Sequence, residues 1–204
     1  MPTDHLAQLI QRLPELAACR DSIVEAYAAL HRSFRTGHKV LLCGNGGSAA
    51  DADHWAGELL KGFSHPRPLS ASERRGLPPA VARRLQGALP AIPLTGFPAA
   101  TTAFGNDVNP ELAFAQLTSA LGRKGDVLVA ISTSGNARNV GHAVTVARAR
   151  GLHTIALTGA NGGRLHRLCD TSIRVPARET PRVQEYHLPV YHCLSLMLED
   201  AFFV

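Results

Sequence analysis

The chain reads as an α/β protein in which five short parallel strands form a doubly wound sheet, with long helices at both ends. Three observations predict this. Short apolar runs alternate with segments of helical spacing, and strands separated by helices pair in parallel. Two of the runs stop at polar turns, Gly44-Asn45-Gly46-Gly47-Ser48 and Ser132-Thr133-Ser134-Gly135-Asn136. The composition is that of one globular domain, with 45% hydrophobic and 18% charged residues among 204. Five strands of this kind point to a flavodoxin-like sheet, which binds ligands outside the carboxyl ends of its strands.

In order, residues 4–36 carry apolar side chains at helical spacing (Leu6, Leu9, Ile10, Leu13, Leu16, then Ile23, Tyr27, Leu30, Phe34), and Pro14 divides them into two pieces. Residues 39–43 form a buried strand ended by the first polar turn, and 49–63 resume helical character. Residues 91–95 are a strand whose Pro93 suits an edge. Residues 110–121 are helical. Residues 126–131 are the clearest strand and run into the second polar turn. A helix over 137–150 stops at Gly151. Residues 153–158 form a strand, 159–169 a loop with a short helix, 171–175 a fifth strand, and 180–203 a closing helix. Segment 64–90 is rich in Pro and Arg and too long for an ordinary connection. Within it, 80–85 suit one or two helical turns.

The net charge is +5, and 64–90 supplies most of it through Arg67, Arg74, Arg75, Arg83 and Arg84 against Glu73 alone. The rest of the chain is near neutral, which argues against a general nucleic-acid surface. No run of 18 apolar residues suggests a membrane span, and the first residues lack the pattern of a secretion signal. Cys19, Cys43, Cys169 and Cys193 form no C-x-x-C pair and read as buried thiols of a reducing compartment. A cytoplasmic protein is expected.

Three hydroxyl residues, Ser132, Thr133 and Ser134, lie between a strand and a helix. Hydroxyls and free N–H groups at a helix start make an anion site, which suits a phosphate. The glycine turn at 44–48 allows close backbone approach. It is neither a Walker sequence nor a dinucleotide fingerprint. His54 and Glu58 share one face of the helix that follows. Gln184 and His192 lie eight apart on the last helix, with His187 near them. Two imidazoles, a carboxylate and an amide offer general acid–base chemistry or a divalent metal site. The spacing alone leaves both open.

Cys43-Gly44-Asn45-Gly46-Gly47-Ser48, Asp53-His54, Glu58, Asn106-Asp107, Ser132-Thr133-Ser134-Gly135-Asn136, Leu157-Thr158-Gly159, and Gln184-Glu185 with His192 occur in the order of one family. The chain resembles the phosphoheptose isomerases, among the sugar isomerase (SIS) domain proteins, over about residues 4–203 apart from 64–90. The resemblance implies a single SIS domain over 1–204, with 64–90 as an insertion. It implies isomerisation of sedoheptulose 7-phosphate to a D-glycero-D-manno-heptose 7-phosphate through an enediolate. Glu58 would be the base and His192 the acid. Zinc would lie on His54, Glu58, Gln184 and His192. Sugar-phosphate contacts would fall on Asn45, Gly46, Gly47, Ser48, Glu58, Asn106, Asp107, Ser132, Thr133, Ser134 and Gln184. A homotetramer with active sites between subunits is implied as well.

Two departures stand out. Ala137 replaces a usual serine after Ser-Thr-Ser-Gly-Asn. Lys61-Gly62 stands where the family has Gly-Arg, which shifts a cation. The five arginines of 64–90 are therefore expected beside the site mouth, holding the substrate or a neighbouring subunit. Three other functions compete. SIS adaptors that bind the bacterial replication initiator resemble this chain, but they tend to lose the residues at the Glu58 and His192 positions. A sugar-phosphate sensor would usually carry a DNA-binding domain as well. Isomerisation of a different sugar phosphate is the third.

Overall fold

The computed structural model describes residues 2–204, with side chains from Asp4 onward. Helix α1 (Pro2–Arg12) and helix α2 (Arg20–Arg35) are joined by a 3-10 turn over Pro14–Cys19, which begins at the predicted proline break. Strand β1 (Val40–Cys43) leads into helix α3 (Gly47–Leu60). The short helix α4 (Pro79–Ala82) precedes β2 (Ala91–Pro93) and helix α5 (Pro98–Asp107). A 3-10 turn at Pro110–Leu112 opens into α6 (Ala113–Leu121). Then come β3 (Val127–Ile131), α7 (Arg138–Ala149), β4 (His153–Thr158), α8 (Leu165–Leu168), β5 (Thr171–Arg174) and α9 (Thr180–Phe203). Helix α5 has no counterpart in the sequence reading. Its Pro-Ala-Ala-Thr-Thr-Ala-Phe-Gly run has no apolar stripe and buries no residue, so periodicity could not reveal it.

All five strands pair in parallel, in the order β2-β1-β3-β4-β5. This is the doubly wound arrangement the sequence predicts, and β2, with its proline, lies at an edge. The chain leaves β1 toward β2 and later returns on the other side of β1 to form β3. The two polar turns therefore flank the point where the winding reverses, which in open α/β sheets is where ligands bind.

Side chains alternate across the sheet. Val40, Leu42, Val127 and Val129 join the core beneath α1, α2, α3 and α9, while Leu41, Cys43, Leu128 and Ala130 join the one beneath α6, α7 and α8. Burial on both faces explains why the strands read as continuous apolar runs.

Segment 64–90 is anchored at its base. Pro68 and Gln86 form an antiparallel bridge, the Gly87 N–H donates to the Arg67 carbonyl at 2.7 Å, and Leu69 and Leu89 are buried. Arg67 departs from the expectation of a substrate-binding arginine. It is 0% exposed, and its guanidinium donates to Glu199 Oε1 at 2.7 Å, to the Leu59 carbonyl at 2.8 Å and to the Glu58 carbonyl at 3.0 Å. With these three bonds it is spent on the protein itself. Arg74, Arg75, Arg83 and Arg84 are exposed.

Candidate active site

Helices α3 and α9 pack side by side and run in the same direction. Gly47 meets Gln184, His54 meets Tyr191 and His192, and Phe63 meets Glu199. This pairing brings residues 138 apart in sequence into one cluster. His54, Glu58 and His192 each offer a ligand atom, and those atoms lie within 4.8 Å of one another. His54 Nε2 stands 3.1 Å from Glu58 Oε1, and the His54 and His192 rings are 5.1 Å apart. Phe63 closes one side of His192, with ring centroids at 5.0 Å.

Electrostatics follow from these neighbours. Partial burial pushes the Glu58 carboxyl up. The Lys61 ammonium, 2.9 Å from Oε2, and His54 pull it down further, so it stays ionised below the usual glutamate range. Burial and then the charge of His54 lower His192, with Glu58 opposing, so His192 is neutral near pH 7. A neutral imidazole still donates through its N–H. His192 Nε2 is buried and has no hydrogen-bond partner among the described residues. Such an atom ordinarily finds one.

The donor set fits a divalent cation. It combines two imidazoles and a carboxylate within reach of one point, and one imidazole nitrogen is left unsatisfied. Gln184 precedes His192 on helix α9. Its amide packs on the Cα of Gly47, where a Cβ would collide with it. By helix rise that is about 10 Å before His54 along α3. Gln184 thus faces the glycine turn.

The two polar turns are tied together. Asn45 and Asn139 exchange two side-chain amide hydrogen bonds of 2.9 Å, joining the turn after β1 to the first turn of α7. Gly135 adopts a positive φ of 67° and lies so close to Gly162 that no side chain would fit. The second turn is thereby pressed onto the loop after β4. Ser132 is buried, Thr133 half-buried and Ser134 exposed at the start of α7. Ser48 is buried behind the first turn. Asn106 and Asp107 end α5 and are exposed. Asn106 donates to Asp107 at 2.9 Å, and neither makes a hydrogen bond or ion pair to the trio or to the turns. The structure thus brings together the trio, the two turns and Gln184, and leaves Asn106-Asp107 at the periphery of this one chain.

Three site residues escaped the sequence reading. Tyr191 is buried, 3.0 Å from His54 Nδ1 and 3.4 Å from Asp51 Oδ1. Neither Tyr191 nor Asp51 belongs to a motif, and their partnership spans 140 positions of sequence. Phe63 is the third. The Lys61–Glu58 pair could have been read from their i, i+3 spacing.

Among known proteins, the SIS domain family model matches residues 100–198. A phosphoheptose isomerase of Rhodospirillum rubrum is 44% identical over 186 residues, which is 91% of this chain and 89% of that one. The solved phosphoheptose isomerase of Neisseria gonorrhoeae is 35% identical with a TM-score of 0.77, and that of Francisella tularensis is 34% identical with a TM-score of 0.79. Each alignment spans 97% of this chain and 96% of the other. At this identity and coverage the chain belongs to the phosphoheptose isomerase family.

Proposed function

We propose that this protein interconverts sedoheptulose 7-phosphate and D-glycero-D-manno-heptose 7-phosphate. The observation that carries the reading is the trio of His54, Glu58 and His192, the first two on a helix that starts at one of two anion-suited turns tied to each other. Aldose–ketose isomerisation moves a proton between adjacent carbons through an enediolate. It needs a base at carbon, a donor at oxygen and a counter-charge for the developing anion. Glu58 is the base, kept ionised by Lys61. His192 is the acid, a neutral imidazole like those that polarise carbonyls elsewhere. The turns at 45–48 and 132–134 hold the phosphate, with Gln184 against the glycine turn as a sugar contact. His54, Glu58 and His192 hold a divalent cation, zinc by their mixed nitrogen and oxygen donors. When bound, that ion supplies Lewis-acid stabilisation of negative charge. Gln184, on the same helix as His192, is the fourth ligand of the set.

Asn106 and Asp107, remote from the trio within one chain, fit a site completed between subunits of a homotetramer. Three of the four free cysteines are buried, which fits a reducing, cytoplasmic compartment. No helix among the described residues is long and apolar enough to cross a membrane.

The test is incubation with sedoheptulose 7-phosphate followed by product analysis by NMR, beside ribulose 5-phosphate and fructose 6-phosphate. Turnover confined to the heptulose supports the reading. Faster conversion of a shorter sugar phosphate would reassign the substrate.

A further inference from the structure

The Tyr191 hydroxyl has a single proton and two neighbours that could receive it. It stands 3.4 Å from Asp51 Oδ1 and 3.0 Å from His54 Nδ1. Asp51 has no other side-chain donor among the described residues, and its Oδ2 is buried without any partner. An ionised carboxylate can only accept. If the Tyr191 proton went to His54, both oxygens of Asp51 would be left bare. Given to Asp51, it satisfies one of them, and the Tyr191 oxygen then accepts a proton from His54 Nδ1. In a neutral ring, that leaves the lone pair on Nε2. This lone pair faces Glu58 Oε1 at 3.1 Å and belongs to the trio with His192. Two acceptors at that separation repel unless a cation lies between them.

We infer that Asp51 and Tyr191 fix the tautomer of His54, making Tyr191 a positioning residue for the cation site. The inference rests on the cation reading of the trio given above. Tyr191 is itself held rigidly. It is fully buried and stacks on Trp55 with centroids 5.6 Å apart and planes 18° from parallel. A carboxylate acting through a second group on a ligating histidine is how proteins orient metal ligands, and loss of such a partner costs about 10- to 100-fold in metal affinity.

Tyr191→Phe removes the hydroxyl and keeps the ring on Trp55. Asp51→Asn leaves the hydroxyl and replaces its ionised acceptor. Two readouts decide the matter. In metal-free protein, nitrogen-15 NMR of the His54 ring, assigned by its loss in His54→Asn, is expected to show Nδ1–H in the wild type and a shift toward Nε2–H in Tyr191→Phe. Competition with a chelator is expected to show zinc bound about 10- to 100-fold more weakly by Tyr191→Phe. Asp51→Asn should move both readouts in the same direction. Circular dichroism checks that each variant is folded. A wild-type His54 already in the Nε2–H form, or one whose tautomer is the same in Tyr191→Phe, overturns the inference. Equal zinc affinity in wild type and Tyr191→Phe overturns it also. If the wild type binds no zinc, the cation reading fails instead, and the tautomer measurement still decides the role of Tyr191.

Discussion

Glu58 Oε2 is paired with the Lys61 ammonium at 2.9 Å, and its Oε1 stands 3.1 Å from His54 Nε2. The ammonium keeps it ionised and ready to take a proton, at some cost in basicity. Glu58→Gln keeps the shape and removes the proton acceptor. The expected loss in kcat is about 100- to 10,000-fold, with KM changed little. A variant that keeps more than about a tenth of the wild-type rate would take Glu58 out of the base role. Lys61 is the second residue to test, because its ammonium is the charge paired with Glu58. Lys61→Ala should let the Glu58 carboxyl rise toward its ordinary value. In the pH dependence of kcat/KM, the acidic limb should then move to higher pH. An unmoved limb would mean that the ion pair is broken in the working enzyme.

Between elements, the buried Arg67–Glu199 pair does what no apolar contact could. Arg67 takes the carbonyls of Glu58 and Leu59, the last turn of α3, which lack helical donors. Glu199 on α9 accepts from the backbone N–H of Phe63, Ser64 and His65. One ion pair therefore fixes the end of α3, the start of segment 64–90 and the far end of α9. Both side chains are 0% exposed. Removing one partner strands a buried charge, so Arg67→Ala is expected to cost about 3–5 kcal/mol. In a chain of this size that lowers Tm by roughly 10 °C. A thermal melt that falls by less than about 2 °C would show that Glu199 finds another partner or water. Because the lost bonds include the Glu58 carbonyl, kcat should fall as well in the folded fraction.

At the scale of the whole molecule, acid stability rests on buried titratable groups. His187 is 0% exposed, and burial lowers its pKa from 6.5 to about 4. Below pH 6.5 the unfolded chain takes up a proton that the folded chain refuses, so stability falls as pH drops from 6.5 toward 4. The slope is about 1.4 kcal/mol per unit, or about 2 kcal/mol between pH 6.5 and 5. Glu199 adds a second loss further into acid. Burial raises its carboxyl, but the Phe63 and Ser64 amides and Arg67 hold it below the usual glutamate value. Its contribution is complete above the unfolded pKa and disappears as pH falls through the folded one. Urea midpoints at pH 7.5, 6 and 5 should decline, and a His187→Gln variant should lose the upper part of that slope. Assembly is measured by light scattering, where a tetramer of 21.7 kDa chains gives about 87 kDa. The exposed Arg74, Arg75, Arg83 and Arg84 are the ones left to act outside the chain. Single alanine variants should raise KM at least about threefold or shift the mass if these arginines hold substrate or a neighbour. If none does either, the segment's charge serves neither purpose.

Much of this protein is legible in its residues alone. Parallel strands buried on both faces leave continuous apolar runs. The glycine and hydroxyl turns mark strand ends, and His54 with Glu58 follows from helical spacing. Family membership follows from motifs in order. What the sequence could not supply depends on contacts between distant residues. Helix α5 has no amphipathic stripe to announce it. Arg67 looks like a surface arginine until Glu199, 132 positions later, is seen to bury it. Gln184 and His192 share one helix, and only the register of α9 against α3 shows that Gln184 lies against Gly47 and His192 beside His54. Tyr191 meets Asp51 and His54 only because those two helices pack in that register. Local pattern records what each element buries. Which side chains meet across elements is decided by packing, and packing is a property of the whole fold.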